Sequence, residues 1–164
     1  MLIDALILGG GRSSRLGSIP KARLGYRGRT LLENTVAAVQ ALRSVVVVGD
    51  VTGQSLPPEV LVTREEPAFA GPAAAIGAGL DRLRAAHPVA SDVTIVLACD
   101  LPSVEAALLV LLTELGDRDL IGDGLIAVDS AHRLQPLLAA YRTRTLVSAI
   151  ASQREAVQHV CPSW

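Results

Sequence analysis

The chain is short of most features that would tie it to an oxidising compartment, a nucleic acid or a membrane. It has two cysteines, Cys99 and Cys161, too few for a disulfide framework, and His159 beside Cys161 falls short of a full tetrahedral zinc set. Cys99 therefore reads as a small core residue and Cys161 as a tail residue. Neither sign of charge is in excess: 15 Lys and Arg face 16 Asp and Glu, for a net charge of −1. That balance argues against a nucleic-acid footprint and against a face that adheres to membranes, and leaves a diffusible small ligand as the natural partner. Long apolar runs are missing too. The stretches at 45–48 and 95–98 are far shorter than the ~20 residues of a membrane span, and no basic, apolar, cleavable leader precedes Ile3, so a cytoplasmic protein is expected. There is no repeat, low-complexity segment or linker. The two common phosphate signatures are absent as well. Gly9, Gly11 and Ser14 do not complete G-x-G-x-x-G, and the spacing from Gly17 to Lys21 does not make G-x-x-x-x-G-K-S/T.

What is present is a regular alternation. With 164 residues, half of them hydrophobic, the chain can bury one sizeable core, and a single domain over 1–164 is expected. Residues 3–8, 45–48, 60–62, 93–98 and 125–128 are short aliphatic runs without period-two alternation, as expected of central parallel strands covered on both faces. Helix-length segments lie between them: 31–42 after a candidate cap at Thr30, 73–86 after Pro72, and 104–115 after Pro102 and Ser103 and before Gly116. This order predicts a doubly wound α/β protein, a mostly parallel sheet with helices on both faces in three layers. Such sheets bind ligands outside the carboxyl ends of their strands, so function belongs in the loops that follow strands. The stretch 134–141, with Pro136 inside it, is expected as an antiparallel strand at a sheet edge, where proline is tolerated.

The loop after the first strand carries the strongest chemical signal. Gly9, Gly10 and Gly11 can turn sharply and bring bare backbone amides close to an anion, because glycine has no Cβ in the way. Four glycines, two serines and two arginines fall within nine residues, and Arg15 and Lys21 supply charge that amides alone cannot. A solvated surface turn explains this density less well than a phosphate loop. Asp100, two residues past the end of the fourth aliphatic run, presents a hard oxygen where the sheet opens its crevice, which suits Mg²⁺ shared with phosphate oxygens. Taken alone, an aspartate before Leu101 and Pro102 reads equally well as a turn or capping residue. His87 and His132 read as exposed turn residues, and no nucleophile–base pair stands out.

The segment LGGGRSSRLGSIPK, Leu8 to Lys21, resembles the L-x-G-G-x-S-x-R-M-G…K signature of the MobA-like nucleotidyltransferases, the molybdenum cofactor guanylyltransferase family. FAGPAAAIGAGL, VLACDLPSV and QPLLAAYR are similar, in order, to that family's G-P-L-A-G-I-x-A-G-L, V-x-x-C-D-M-P and H-P-L-x-A-L-Y-R segments. The resemblance implies an enzyme that moves GMP from GTP to molybdopterin with release of pyrophosphate and dependence on Mg²⁺. The nucleophile belongs to the substrate, so the protein need only position the reactants and neutralise charge.

By the same resemblance Leu8 and its backbone border the base, and Gly9, Gly10, Gly11 and Ser13 wrap the phosphates. Arg15 and Lys21 bind triphosphate oxygens and Asp100 holds the metal. Gly71, Pro72 and Ala75 bring a helix-opening turn against guanine. Implied partners are GTP, molybdopterin as acceptor, and cofactor-delivering or apo-molybdoenzyme proteins. A cytidylyl- or sugar-phosphate nucleotidylyltransferase would share the glycine loop and the aspartate, and a GTP-binding module without turnover would share the loop.

This sequence departs from the family pattern at named places. Pro20 stands where an aspartate is common, Ala75 where glycine is usual, and Arg64, beside Glu65 and Glu66, at the simplest ungapped position of an acidic residue. The sequence reaches HVCPSW without a segment like D-I-N-T-P-E-D, so a shortened member with weakened acceptor binding is expected.

Overall fold

Three buried runs and a shorter, more exposed one end level with one another and so define a crevice. In a computed structural model, which describes residues 1–9, 21–26, 28–68, 70–101, 103–117 and 122–160, with the backbone alone for residues 21, 117 and 156–160, strand β1 (Ile3–Leu8) lies in the middle of a sheet. It pairs in parallel with β4 (Ser44–Val48) on one side and β6 (Val93–Ala98) on the other. Strand β5 (Leu61–Thr63) extends the β4 side in parallel. Strand β8 (Leu134–Arg142) runs antiparallel beside β6, with β7 (Gly124–Val128) outside it, giving the order β5-β4-β1-β6-β8-β7. Two short strands, β2 (Gly25–Tyr26) and β3 (Arg29–Thr30), form a separate antiparallel ribbon before the first helix.

Alternate side chains of the central strands feed two cores. Ala5 and Ile7 point into one, with α1 (Leu31–Val39) and α3 (Val104–Asp117) supplying Leu32, Val36, Leu108 and Leu111. Leu6 and Leu8 point into the other, with α2 (Pro72–Ala86) and α4 (Thr143–Val160) supplying Ile76, Leu80, Leu146 and Ile150. The expected three-layer, mostly parallel α/β architecture is therefore observed. Helix α2 comes close to the sheet because Gly79 has no side chain. A Cβ there would lie 2.8 Å from Leu6 Cδ2 and 3.1 Å from Val48 Cγ2.

Several local expectations need correction. Strand β8 is antiparallel as expected but internal, and β7, expected as a central parallel strand, is an antiparallel edge. Pro136 is tolerated inside the sheet because pairing with β6 covers only 138–142, and on the β7 side it falls within a register shift between Ala139 and Gln135. A missing N–H there breaks no ladder bond. Helix α1 stops at Val39, where Leu42 closes a turn onto the Val39 carbonyl and Arg43 N–H donates to Ile3. Helix α3 runs through Gly116 to Asp117 rather than stopping before it. Helix α4 has no counterpart among the expected helices. Among the described residues no helix is long and apolar enough to cross a membrane.

Candidate active site

The chain leaves β1 to build β4 and β5 on one side, and then returns to build β6 on the other. The strand order thus reverses between β1 and β6, and a crevice opens at their carboxyl ends. Register places the two exits together: Leu8 pairs with Ala98 and with Val48, and Val48 with Thr63. Cys99 N–H donates to the Leu8 carbonyl at 3.2 Å, so the turn carrying Asp100 springs from the same level as the glycine loop. Cys99 itself is buried, as a core residue should be.

Gly9 is the last described residue before that loop. Its N–H donates to the Val48 carbonyl at 2.8 Å, so this amide belongs to the sheet and is not available to a phosphate. A Cβ on Gly9 would meet Val48 O at an ordinary 3.5 Å, and packing within the protein does not by itself demand glycine here. Gly10, Gly11, Ser13 and Arg15 lie outside the described residues. Lys21 opens a short 3-10 turn, Lys21–Arg23, that follows the loop.

Asp100 is half-buried in the turn after β6. The backbone bond from Ala107 N–H to the Ser103 carbonyl, at 3.3 Å, puts Ser103, not Asp100, in the capping position of α3, which removes one of the two structural readings of this aspartate. Among the described residues no group of three or more His, Cys, Asp or Glu gathers into a cluster suited to a metal. At the exit of β6 the described residues thus offer the Asp100 carboxylate, next to the strand end where the glycine-rich segment begins.

Helix α2 opens over the same end of the sheet. Gly71 precedes it at φ 101°, a backbone state that any side chain would strain, and Pro72 fills the first helical position, where its missing N–H costs nothing. No side chain caps this terminus, so its first-turn amides face outward with the positive end of the helix dipole. Ala75 is buried in the α2 core and bonds back to Gly71 O at 3.1 Å.

Beside this crevice lies a charged rim that the sequence expectations did not include. Asp50 follows β4 and Gly49. It accepts hydrogen bonds from Thr52 N–H at 2.9 Å, Thr52 Oγ1 at 2.6 Å and Arg64 Nη2 at 2.9 Å. The Thr52 bonds, and then the charges of Arg64 and Arg23, hold its carboxyl below the usual range. Glu65, the next residue after Arg64, is buried. A signal for it does exist: a polar residue just past a buried strand, the rule that singles out Asp100, applies equally to GD after 45–48. His132 sits in the exposed β7–β8 turn as expected, whereas His87 is a half-buried residue closing α2 through a bond to Leu83 O at 2.9 Å.

A three-layer α/β sheet whose switch point joins a glycine loop, a strand-end aspartate and a helix N-terminus is the frame of a nucleotidyltransferase. The chain belongs to the family described as the MobA-like NTP transferase domain, whose pattern it matches over residues 5–161. It is 36% identical over 153 residues to a probable molybdenum cofactor guanylyltransferase of Chloroflexus aggregans, covering 89% of this chain and 68% of that one. It is 30% identical over 150 residues to the molybdenum cofactor guanylyltransferase of Pseudomonas fluorescens, covering 86% and 68%. The fold is shared with the crystal structure of molybdopterin-guanine dinucleotide biosynthesis protein A from Archaeoglobus fulgidus, at a TM-score of 0.62 and 23% identity over 92% of this chain and 74% of that one. It is also shared with 2-C-methyl-D-erythritol 4-phosphate cytidylyltransferase from Thermus thermophilus, at 0.61 and 23% identity over 95% and 78%.

Proposed function

We propose that this chain, acting as one cytoplasmic domain over 1–164, transfers GMP from GTP to the terminal phosphate of molybdopterin and releases pyrophosphate. The observation that carries this reading is the shared exit level of β1 and β6, which sets Asp100 beside the start of the glycine loop. Support for the guanylyl and molybdopterin assignments comes from the names of the relatives at 30–36% identity.

The roles follow from charge and position. The acceptor's phosphate oxygen attacks the α-phosphorus of GTP, the bond to the β-phosphate oxygen breaks, and pyrophosphate leaves with that electron pair. The protein's work is to align these groups and offset their negative charge. Gly10 and Gly11 offer amides to the phosphates, Ser13 a hydroxyl, and Arg15 and Lys21 cations. Gly9, whose amide is held by Val48, serves as the pivot of the loop. Leu8 and the turn of Gly71, Pro72 and Ala75 border the base, where the uncapped amides of α2 can read a carbonyl edge. Asp100 fits a divalent ion, since a single hard carboxylate at a strand end is the protein's usual share when phosphate oxygens complete the shell. Magnesium bound there would lower the charge of the triphosphate. A protein that delivers the cofactor or receives the product is part of the same proposal.

The test is pyrophosphate release with magnesium and molybdopterin, comparing GTP, ATP and CTP. A pocket built around guanine leaves acceptors unpaired with another base, at about 1 to 3 kcal/mol each, so GTP should lead by at least about tenfold. CTP used as readily as GTP would overturn the guanylyl reading, and GTP binding without release in the presence of acceptor would overturn the transferase one.

A further inference from the structure

The end of the molecule opposite the crevice holds a cavity that nucleotidyl transfer does not use. It measures about 610 Å³ and lies between the C-terminal half of α2, the loop 88–91 and the first turns of α4. Its floor is closed by polar groups that already satisfy one another. Arg43 donates from Nε and Nη2 to the two carboxylate oxygens of Asp4, at 2.8 and 2.5 Å, and Ser91 bonds Thr143 at 3.0 Å. Its walls are aliphatic, made by Leu80, Leu83, Val147 and Ile150. Gly77 deepens the wall, because the Arg154 guanidinium lies over the space a side chain would fill.

The rim carries a surplus of positive charge. Arg84 and Arg154 share one carboxylate, Asp81, at 3.3 and 3.1 Å, and Arg144 has no ion-pair partner among the described residues. His87 lines the same opening. Asp4 is already neutralised by Arg43, so three arginines face a single available carboxylate. Shared, exposed pairs of this kind hold their arginines loosely, leaving the guanidinium groups able to turn toward a ligand.

A space of this volume with aliphatic walls and a few convergent polar groups has the make-up of a small-molecule site. We infer that this groove binds a small amphipathic anion, with an apolar body against Leu80, Leu83, Val147 and Ile150 and one carboxylate or comparable anionic group at Arg144 and Arg84. Charge complementarity selects the class. A neutral apolar molecule would leave the three arginines unused, and a compact anion would leave the aliphatic walls uncovered.

Calorimetric titration of the whole chain with decanoate, with decanol and inorganic phosphate as comparisons, tests this. Decanoate should bind saturably at one site per chain, at least about tenfold more tightly than decanol, the minimum expected of a charge-assisted bond. Arg144→Glu and Val147→Asp should each weaken decanoate by about tenfold or more, while their thermal midpoints and their nucleotidyl transfer without decanoate stay at the wild-type level. Both residues are exposed and remote from the crevice, so either variant should fold. Equal binding of decanol, phosphate binding as tight as decanoate, wild-type affinity in both variants, or no saturable binding at all would each overturn the assignment. So would capture of an acidic amphipathic peptide by a groove that ignores decanoate, since that would make the occupant a protein.

Discussion

The two ends of the sheet solve opposite problems with polar residues. At the amino end polar groups close on one another. Asp4 and Arg43 form a two-pronged pair, with Arg43 Nη1 also on the Val89 carbonyl at 2.9 Å. Thr143 bonds both Ser91 and Thr94, and Leu2 N–H reaches Asp92 Oδ2 at 2.6 Å. At the carboxyl end the strands run out into Gly9, Gly49 and the turn of Asp100, with Gly71 opening an uncapped helix above them. The amino end spends its polar residues on holding strands in register. On the proposed reading the carboxyl end offers backbone and a carboxylate to a ligand, which is why stability and chemistry should separate between the two ends under mutation.

The largest expected effect lies at the amino end. Asp4 is 1% exposed, and its hydrogen bond is the first cause that raises the Arg43 pKa above its ordinary value. Asp4→Ala would leave the Arg43 guanidinium, on a side chain 20% exposed, with one carbonyl partner; breaking a buried pair costs about 3–5 kcal/mol, and access to Arg43 from the cavity sets the expected loss at the lower end of that range. Urea unfolding should register a loss of that order, with nucleotidyl transfer persisting in whatever fraction remains folded. A loss below about 1 kcal/mol would mean that the amino end is not where the fold is held.

Asp100→Asn is the mirror-image variant. It keeps the shape of the side chain and removes its charge, so magnesium-dependent turnover should fall by about a hundredfold or more. The unfolding midpoint should barely move. Wild-type magnesium dependence in a folded protein would return Asp100 to a structural role and erase the proposed asymmetry.

How far this asymmetry can be read from sequence depends on the kind of signal each end leaves. The carboxyl end is legible because its residues break a pattern: three glycines after an aliphatic run, and an aspartate after another. The amino end is not, because Asp4 and Thr94 sit inside strands, where their partners come from 39 and 49 residues away. Helix α4 is hidden for a related reason. Its buried residues Leu146 and Ile150 are one turn apart, but they are set among exposed small and charged residues and follow directly on β8 without a turn signal. The placing of β8 inside the sheet depends on a bulge that absorbs Pro136, and a bulge is a relation between two strands that neither sequence segment carries alone.

Between these extremes lies Gly71. Its φ is 101°, and nothing lies within 4 Å of the position a Cβ would take, so Gly71→Ala meets no clash, only backbone strain. That should lower stability by about 1–2 kcal/mol in thermal unfolding, and it should raise the KM for the nucleotide as the α2 turn shifts. A stable variant with unchanged KM would show that the turn borders no ligand.

The smallest effect sharpens the comparison by testing an exception to it. Helix α1 begins at the carboxyl end, yet its N-terminus is fully capped. Thr30 Oγ1 accepts from Glu33 N–H at 3.2 Å, and the Glu33 carboxylate accepts from Thr30 N–H and Ser55 N–H, each at 2.9 Å. These two backbone bonds are the leading causes that hold the Glu33 carboxyl below its ordinary value. A carboxylate depressed in the folded state adds stability that is full above its unfolded pKa, about 4.3, and is lost as pH falls through the lower folded value. Glu33→Gln should therefore cost about 1 kcal/mol near neutral pH, the ordinary worth of a capping interaction, and the gap from wild type should narrow below about pH 4.3. Asp50 and Asp129, whose carboxyls are also held low by hydrogen bonds, titrate in both proteins and cancel in the difference. A gap that stays constant from neutral to acid pH would mean that the Glu33 charge adds nothing to the cap, and that α1 is held at this end by the Thr30 side-chain bond and the packing of Leu32 and Val36.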